Sequence, residues 1–240
     1  MLDQAKGQMQ IVRRVGLIGD LHCENDALAF AIRKLVGLGA ETLLQVGDIA
    51  DGPGDLEATI SLLEEHRVLA VRGNHDRWLL GNQLRDVPHA TELSSVSPAA
   101  VAFLTRLPVT REFRSPRGNV LLCHGLGKND LVCVKPDHEG YDITSNEDLQ
   151  RLIWERRYRF VLNGHSHRAM LRTFGPLSIV NAGTLFREYE QSFTYVDFER
   201  GELQRFLVKA GEFSPDLQHW RQERQVLADS PSEPFREPFI

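Results

Sequence analysis

Five of the nine histidines in this 240-residue sequence stand in short polar clusters that directly follow apolar runs. "GLIGD" ends in Asp20 and leads to His22; "LLQVGD" ends in Asp48; "LAVRGNHD" supplies Asn74, His75 and Asp76. "NVLLCHG" carries His124, "RFVLNGHSH" carries His165 and His167, and "LSIVNAG" carries Asn181. The remaining histidines, His66, His89, His138 and His219, lie outside these clusters. Imidazole and carboxylate together suit Mn, Fe, Zn, Co or Ni better than a purely oxygen-liganded Mg or Ca site, and no thiolate is needed. Asp20 and Asp48 bring two negative charges against the four positive charges of two divalent ions. A bridging hydroxide would leave about one net positive charge, which attracts an anionic phosphate. Two such ions about 3.5–4 Å apart can clamp an in-line phosphoryl displacement and generate hydroxide near neutral pH.

Each element taken singly has a plainer reading. Gly-Asp after a strand is ordinarily a turn, Asn-His-Asp suits a helix cap, and one "GHSH" does not make a metal site. The ordered combination GDxH, GDxxD, GNHD, HG, GHxH is far more specific than any of its parts.

For these side chains to meet, the elements before them must deliver them to one place. "VRRVGLIGD", "ETLLQVGD" and "VLAVRGNHD" read as strands. Between them, 26–38 has helical spacing with Asn25 or Asp26 as N-cap, and "DLEATISLLEEHR" reads as a helix capped near Asp55. Strand–helix alternation predicts parallel pairing with right-handed crossovers. The nearly unbroken apolar runs suit strands covered on both faces. "RWLLGNQLR" reads as a helix, and "SPAAVAFLTRLP" as another with Ser97 as N-cap and Pro98 at its first position. "VTREFRSPRGNVLLCHG" reads as a hairpin, 125–145 as a loop, and "NEDLQRLIWERRY" as a helix capped by Asn146. Strands follow at "RFVLN", "AMLRTF", "LSIVN", "SFTYVDFE" and "ELQRFLV". The expectation is a strand-rich, layered α/β domain over 1–210. The tail over 211–240, polar and with three prolines in "SPSEPFREPFI", is expected to be loosely packed or disordered. In open α/β sheets ligands bind beyond the carboxyl ends of strands, where all six clusters fall.

Hydrophobic content of 42% and charged content of 25% are globular values. No apolar run reaches the roughly 18–20 residues of a membrane-crossing helix, and the first residues do not read as a secretory signal. Three cysteines, Cys23, Cys123 and Cys133, argue against a disulfide framework and for a reducing, cytoplasmic setting. A net charge of −5 gives no support for a broad nucleic-acid-binding face. The oligomeric state is not legible.

From Val15 to Gly183 the chain resembles the calcineurin-like metallophosphoesterase superfamily, with "GDLH", "GDIAD", "RGNHD", "CHG", "GHSH" and "NAGT" in the family order. The compact spacing is similar to that of its small single-domain bacterial and archaeal phosphodiesterases. The resemblance implies a four-layer αββα fold, a β-sandwich flanked by helices. It implies two divalent transition-metal ions, manganese foremost, with Asp20, His22 and His167 on one, Asn74, His124 and His165 on the other, and Asp48 bridging. His165 and His167 would then serve different metals, which requires a bend after Gly164, and glycine permits one. His75 matches the catalytic histidine, a proton donor to the leaving oxygen, and Asp51 the residue that orients it; Asp76 is a rival for that role. Cys23 stands where the family often has glycine or serine, and Cys123 precedes His124. The thiols either confer sensitivity to oxidation or simply pack as small apolar groups. "NAGT" stands where small members often show "NPGS".

The substrate is less legible. Arg72, Lys128 and Asn181 are candidates for binding it, and Arg77, Lys135, Arg168 and Arg187 also lie in or near the motif loops. The long loop 125–145 is expected to set specificity. The leading expectation is hydrolysis of nucleotides or other small organic phosphates, as a diesterase or monoesterase. A nuclease or nucleic-acid end-processing enzyme is the second reading, which the acidic net charge disfavours. Arg72 matches the "RGNH" of Ser/Thr protein phosphatases, but "GDIADGP" lacks the arginine of their "GDxxDRG". A non-catalytic scaffold should have lost ligands that this chain keeps, and a mononuclear hydrolase of amides or carboxylic esters would need fewer.

Overall fold

The computed structural model describes residues 9–83, 85–87, 89–208 and the strand 220–226. The chain starts as an alternation: β1 (Arg14–Ile18), α1 (Asn25–Gly37), β2 (Thr42–Gln45), α2 (Leu56–Glu65) and β3 (Leu69–Ala70). β1 pairs parallel with β2, and β2 with β3. Two helices follow, α3 (Asn74–Leu80) and α4 (Pro98–Arg106), then the hairpin β4 (Thr110–Ser115) and β5 (Gly118–Cys123). After α5 (Tyr141–Thr144) and α6 (Glu147–Glu155) come β6 (Phe160–Asn163), β7 (Met170–Phe174), β8 (Leu177–Asn181), β9 (Gln191–Asp197), β10 (Glu202–Val208) and β11 (Trp220–Val226). Among the described residues these strands form two mixed sheets, ordered β11-β10-β9-β1-β2-β3 and β4-β5-β6-β8-β7.

Alternation along the apolar runs makes the layers. Val15 and Leu17 of β1 and Leu44 of β2 face Val120 and Leu122 of β5, Phe160 and Leu162 of β6 and Val180 of β8, closing one core between the sheets. The intervening Ile18 and Leu43 pack outward on Leu28, Ile32, Leu35, Ile60 and Leu63 of α1 and α2. On the far side, Leu121, Val161 and Ile179 pack on Leu149 and Leu152 of α6. The order is helix, sheet, sheet, helix, as the αββα expectation requires. Each fully buried Val, Leu or Phe contributes about 1.5–3 kcal/mol relative to exposure. A one-residue slip would exchange the two faces of a strand, so burial on both sides fixes register.

The caps expected at Asp55, Ser97 and Asn146 are present: each side-chain oxygen accepts an N–H three residues on, from Ala58, Ala100 and Leu149. Neither Asn25 nor Asp26 caps α1, whose N-cap residue is Glu24. The Asn25 amide is drawn away to Asp55 O and Thr59 Oγ1 at 2.9 and 2.7 Å, tying α1 to α2. α3 begins three residues before the expected "RWLLGNQLR" helix and stops at Leu80. The Asp76 carboxylate stabilises that earlier start by accepting the Gly73 N–H at 2.9 Å. The expected loop 125–145 contains the short helix α5. Much of the segment 211–240, expected as a loose tail, lies outside the described residues; within it, β11 pairs antiparallel with β10. No helix among the described residues is long and apolar enough to cross a membrane.

Candidate metal centre

The loops after β1, β2 and β6 turn sharply, and they do so at the polar residues themselves. His22, Asp48, Asp51, His165 and His167 all have left-handed backbone, with φ of 46°, 54°, 61°, 66° and 55°. Such conformations cost non-glycine residues about 1–3 kcal/mol each and persist where surrounding bonds over-determine them. Here the N–H groups of Leu21 and His22 both donate to Asp48 O at 2.9 Å, and Leu185 N–H and Thr184 Oγ1 donate to Asp20 O. The bend expected after Gly164 is present, and it lies in His165 and His167 themselves. Gly164 serves a different need: a Cβ there would overlap Asp20 Oδ1.

The left-handed turns send the two histidines apart. His167 Nε2 lies 3.2 Å from His22 Nε2 and 3.6 Å from Asp20 Oδ2. His165 Nδ1 lies 2.9 Å from Asn74 Oδ1, which is also 2.9 Å from His124 Nε2. Asp48 stands between the two groups, its Oδ2 3.2 Å from His124 Nε2 and 4.0 Å from His22 Nε2. Ligand atoms about 2.0–2.2 Å from one ion stand roughly 3–3.5 Å from each other. The seven residues named from the sequence are thus brought together as two neighbouring sets of nitrogen and oxygen atoms.

The donor chemistry fits cations. His22 Nδ1 and His124 Nδ1 each sit 2.8 Å from a backbone carbonyl, of Asp51 and Val46. A carbonyl only accepts, so each ring carries a proton on Nδ1, and a ring in its neutral form turns the Nε2 lone pair inward. His22 Nε2 then meets another imidazole nitrogen. Asp20 Oδ2 is buried without a hydrogen-bond partner, a costly state unless something positive approaches it. The Asn74 amide can face its two imidazoles with the NH₂ as donor, or with the oxygen inward around a cation. No such rotation answers Asp20 Oδ2.

Burial pushes the pKa of His22, His165 and His167 down, that of His167 to about 3, so all three are neutral, the ligand form. Burial also pushes Asp20 up, with nearby Asp48 adding to it. Burial opposes charging His124 and Asp48 alike, but their attraction for each other outweighs it, pushing the His124 pKa up to about 10 and, with His75, holding the Asp48 carboxyl well below the usual range.

His75 stands beside this cluster, with a ring nitrogen within 4.8 Å of ligand atoms of His22 and Asp48. Its Nδ1 lies 2.7 Å from Asp51 Oδ2, and its N–H donates to Asp48 Oδ1 at 2.9 Å. Burial opposes charging the ring, but Asp51 and Asp48 outweigh it and raise its pKa. Asp76, the rival partner, is occupied elsewhere: it accepts the N–H groups of Ile49, Ala50 and Gly73. Sequence reasoning missed Arg85, whose Nε and Nη2 both donate to Asp51. No motif surrounds it.

The expected substrate contacts fare differently. Asn181 is spent on the fold: its Nδ2 donates to Gly164 O at 2.6 Å and its Oδ1 accepts Gly183 N–H at 2.9 Å, so it braces the His165 turn and offers nothing outward. Lys128 lines a cleft of about 600 Å³ with Glu112, Asp148 and Arg157, in which none of the seven clustered residues takes part. The Arg72 side chain makes no hydrogen bond or ion pair among the described residues. Arg77, Arg168 and Arg187 are paired with Asp130, Asp137 and Glu24. Three aromatic residues that the sequence did not single out border the site. Trp78 lies 4.9 Å from the His75 ring, Phe186 4.8 Å from His22, and Tyr189 4.4 Å from His167, centroid to centroid. Both thiols near the site are buried; Cys23 donates to Ile49 O and Cys123 to Gly125 O.

The sequence profile of the calcineurin-like phosphoesterase superfamily domain matches residues 14–201. The structure is similar to the metallophosphoesterase from Sphaerobacter thermophilus, with a TM-score of 0.64 at 15% identity over 83% of this chain and 89% of that one. It is similar to a hypothetical protein from Pyrococcus horikoshii OT3, with a TM-score of 0.63 at 14% identity over 93% and 90%. A novel archaeal phosphodiesterase aligns with a TM-score of 0.54 at 15% identity over 81% and 99%. At these identities the likeness to solved structures is one of fold, and the family rests on the profile, whose span takes in both ligand sets, His75 and Asp51. The chain belongs to the calcineurin-like phosphoesterase superfamily and is a hydrolase acting on phosphoester bonds.

Proposed function

We propose that the enzyme hydrolyses small organic phosphoesters, nucleotides among them, with two divalent transition-metal ions, manganese foremost. Asp20, His22 and His167 would hold one ion, Asn74, His124 and His165 the other, and Asp48 would bridge them. The observation that carries this reading is the pair of ligand sets on either side of Asp48, with His22 Nε2 and Asp48 Oδ2 4.0 Å apart. When bound, such ions lower the pKa of water and neutralise phosphoryl charge.

The chain's own groups manage the leaving side. A water oxygen forms the new bond to phosphorus, and the bond to the leaving oxygen breaks with its electron pair staying on that oxygen. His75 Nε2 gives it a proton, and the proton lost by water passes to solvent. Asp51 keeps the other His75 proton on Nδ1, so Nε2 is the nitrogen that turns to the substrate. Phe186 and Tyr189, with Trp78 near His75, offer flat apolar surface beside the reacting phosphate, which suits an aryl or nucleoside ester. Arg77, Arg168 and Arg187 near the motif loops are each paired with a carboxylate, which favours a small ester over a polynucleotide backbone. The unpaired Cys23, Cys123 and Cys133 accord with a reducing, cytoplasmic setting.

The test is an assay of Mn²⁺-loaded protein on chromogenic phosphodiesters and phosphomonoesters, then on nucleotides. Metal-dependent cleavage abolished by chelation is expected. Full metal occupancy with no hydrolysis across a broad panel would overturn the reading.

A further inference from the structure

The Asp51 carboxylate is bound on every side. Its Oδ2 accepts from His75 Nδ1 at 2.7 Å and from Arg85 Nε at 2.6 Å. Its Oδ1 accepts from Arg85 Nη2 at 2.5 Å and from Thr91 N–H at 2.8 Å. The Asp51 and Arg85 side chains are 1% and 9% exposed. The guanidinium is itself fixed, with Nη1 donating to Gln83 O at 2.7 Å and Nη2 to Thr91 O at 3.1 Å. Asp51 N–H in turn donates to Thr91 Oγ1 at 3.2 Å.

A carboxylate facing one imidazole can rotate about its Cβ–Cγ bond and carry the ring with it. A planar guanidinium binding both oxygens removes that freedom, because the fork matches only one carboxylate plane. It also meets the charge of a buried carboxylate that the His75 ring and the Thr91 N–H would leave under-compensated.

We propose that Arg85 is a positioning residue for leaving-group protonation: by gripping both oxygens of Asp51 it fixes the plane in which that carboxylate receives His75 Nδ1–H, and so keeps His75 Nε2 aimed at the leaving oxygen. This rests on the reading of His75 as proton donor. Arg85 does not touch the substrate. Its effect scales with how much the leaving oxygen needs a proton, because p-nitrophenolate departs unprotonated and an alkoxide does not.

The experiment compares wild type, Arg85→Lys and Arg85→Ala, each loaded with Mn²⁺, on phosphodiesters with p-nitrophenyl and simple alkyl leaving groups. Arg85→Lys keeps the charge and loses the fork. For both variants kcat on the alkyl ester should fall roughly 10–100-fold, the range typical of lost supporting contacts. The fall with the p-nitrophenyl ester should be much smaller, and KM and bound metal should hold. Added guanidinium should restore part of the alkyl activity of Arg85→Ala. Equal losses on both esters, or an Arg85→Lys variant with wild-type alkyl activity, would overturn the proposal. Nitrogen-15 NMR of the Zn²⁺-loaded proteins is the readout that needs no turnover. The wild type should show a His75 Nδ1–H held in a hydrogen bond, its proton far downfield, and Arg85→Lys should lose that signal. If the wild type cleaves no ester, the hydrolase reading fails; an unchanged His75 signal in Arg85→Lys would sink the role of Arg85 by itself.

Discussion

His22 Nε2 and His167 Nε2 stand 3.2 Å apart although 145 residues separate them. One follows β1 in the first sheet and the other follows β6 in the second, so their meeting depends on the sandwich closing in register. The His22 ring proton is committed to Asp51 O at 2.8 Å, and burial holds both rings neutral. Two neutral imidazoles in this relation can share an N–H···N hydrogen bond or turn both lone pairs onto one cation, and the proposed centre takes the second arrangement.

Metal and fold should therefore be linked. A ligand that binds only the native state at about 100 times its Kd adds about 2.7 kcal/mol, worth roughly 5–10 °C in Tm for a domain of this size. Scanning calorimetry of chelated and Mn²⁺-saturated protein should show a rise of that order. Identical Tm values at saturation would speak against a native-state cation site.

His75→Ala should separate chemistry from metal binding. Both ions should remain, because His75 is tied to Asp51 and stands beside the two ligand sets. The fall in kcat should be roughly 10²–10⁴-fold on esters with poor leaving groups. Metal analysis beside steady-state kinetics checks this; loss of an ion in the variant would reassign His75 as a ligand.

Tyr189 is 45% exposed beside the His167 ring. Its loop is held by Arg187, which donates to both Glu24 carboxylate oxygens at 2.8 and 2.7 Å. Tyr189→Ala should raise KM for nucleoside or aryl esters by about 5–10-fold, the worth of one stacking contact of about 1 kcal/mol or slightly more. Alkyl esters should change little and Tyr189→Phe should be near neutral. Equal KM changes for aryl and alkyl esters would remove the stacking role.

Cys23 and Cys123 should be inert. Burial pushes both thiols up to about 12, and the thiolate is the reactive form. Iodoacetamide at neutral pH should reach the partly exposed Cys133 first, and mild peroxide should leave activity intact. Rapid peroxide inactivation that maps to Cys23 or Cys123 would show that the site opens.

The convergence of Asp20, His22, His124, His165 and His167 was legible because each follows an apolar run that reads as a strand, and strand ends on one side of a sandwich meet. The layers were legible because the runs are unbroken where both faces are covered. Arg85 was not, since its contact with Asp51 spans 34 residues and depends on a loop path that no periodicity encodes. Asn181 misled for a related reason. Its place at a strand end suggested a ligand contact, yet both ends of its amide close local turns. The N-cap of α1 failed because Asn25 has a stronger partner on α2.

The most direct test of the central claim is the count of Mn²⁺ ions per chain in wild type, His167→Ala and His165→Ala. Two ions in the wild type are predicted, with one retained in each variant, because His167 and His165 belong to opposite sides of Asp48. One ion in the wild type, or the same residual site in both variants, would contradict a dinuclear centre built in this way.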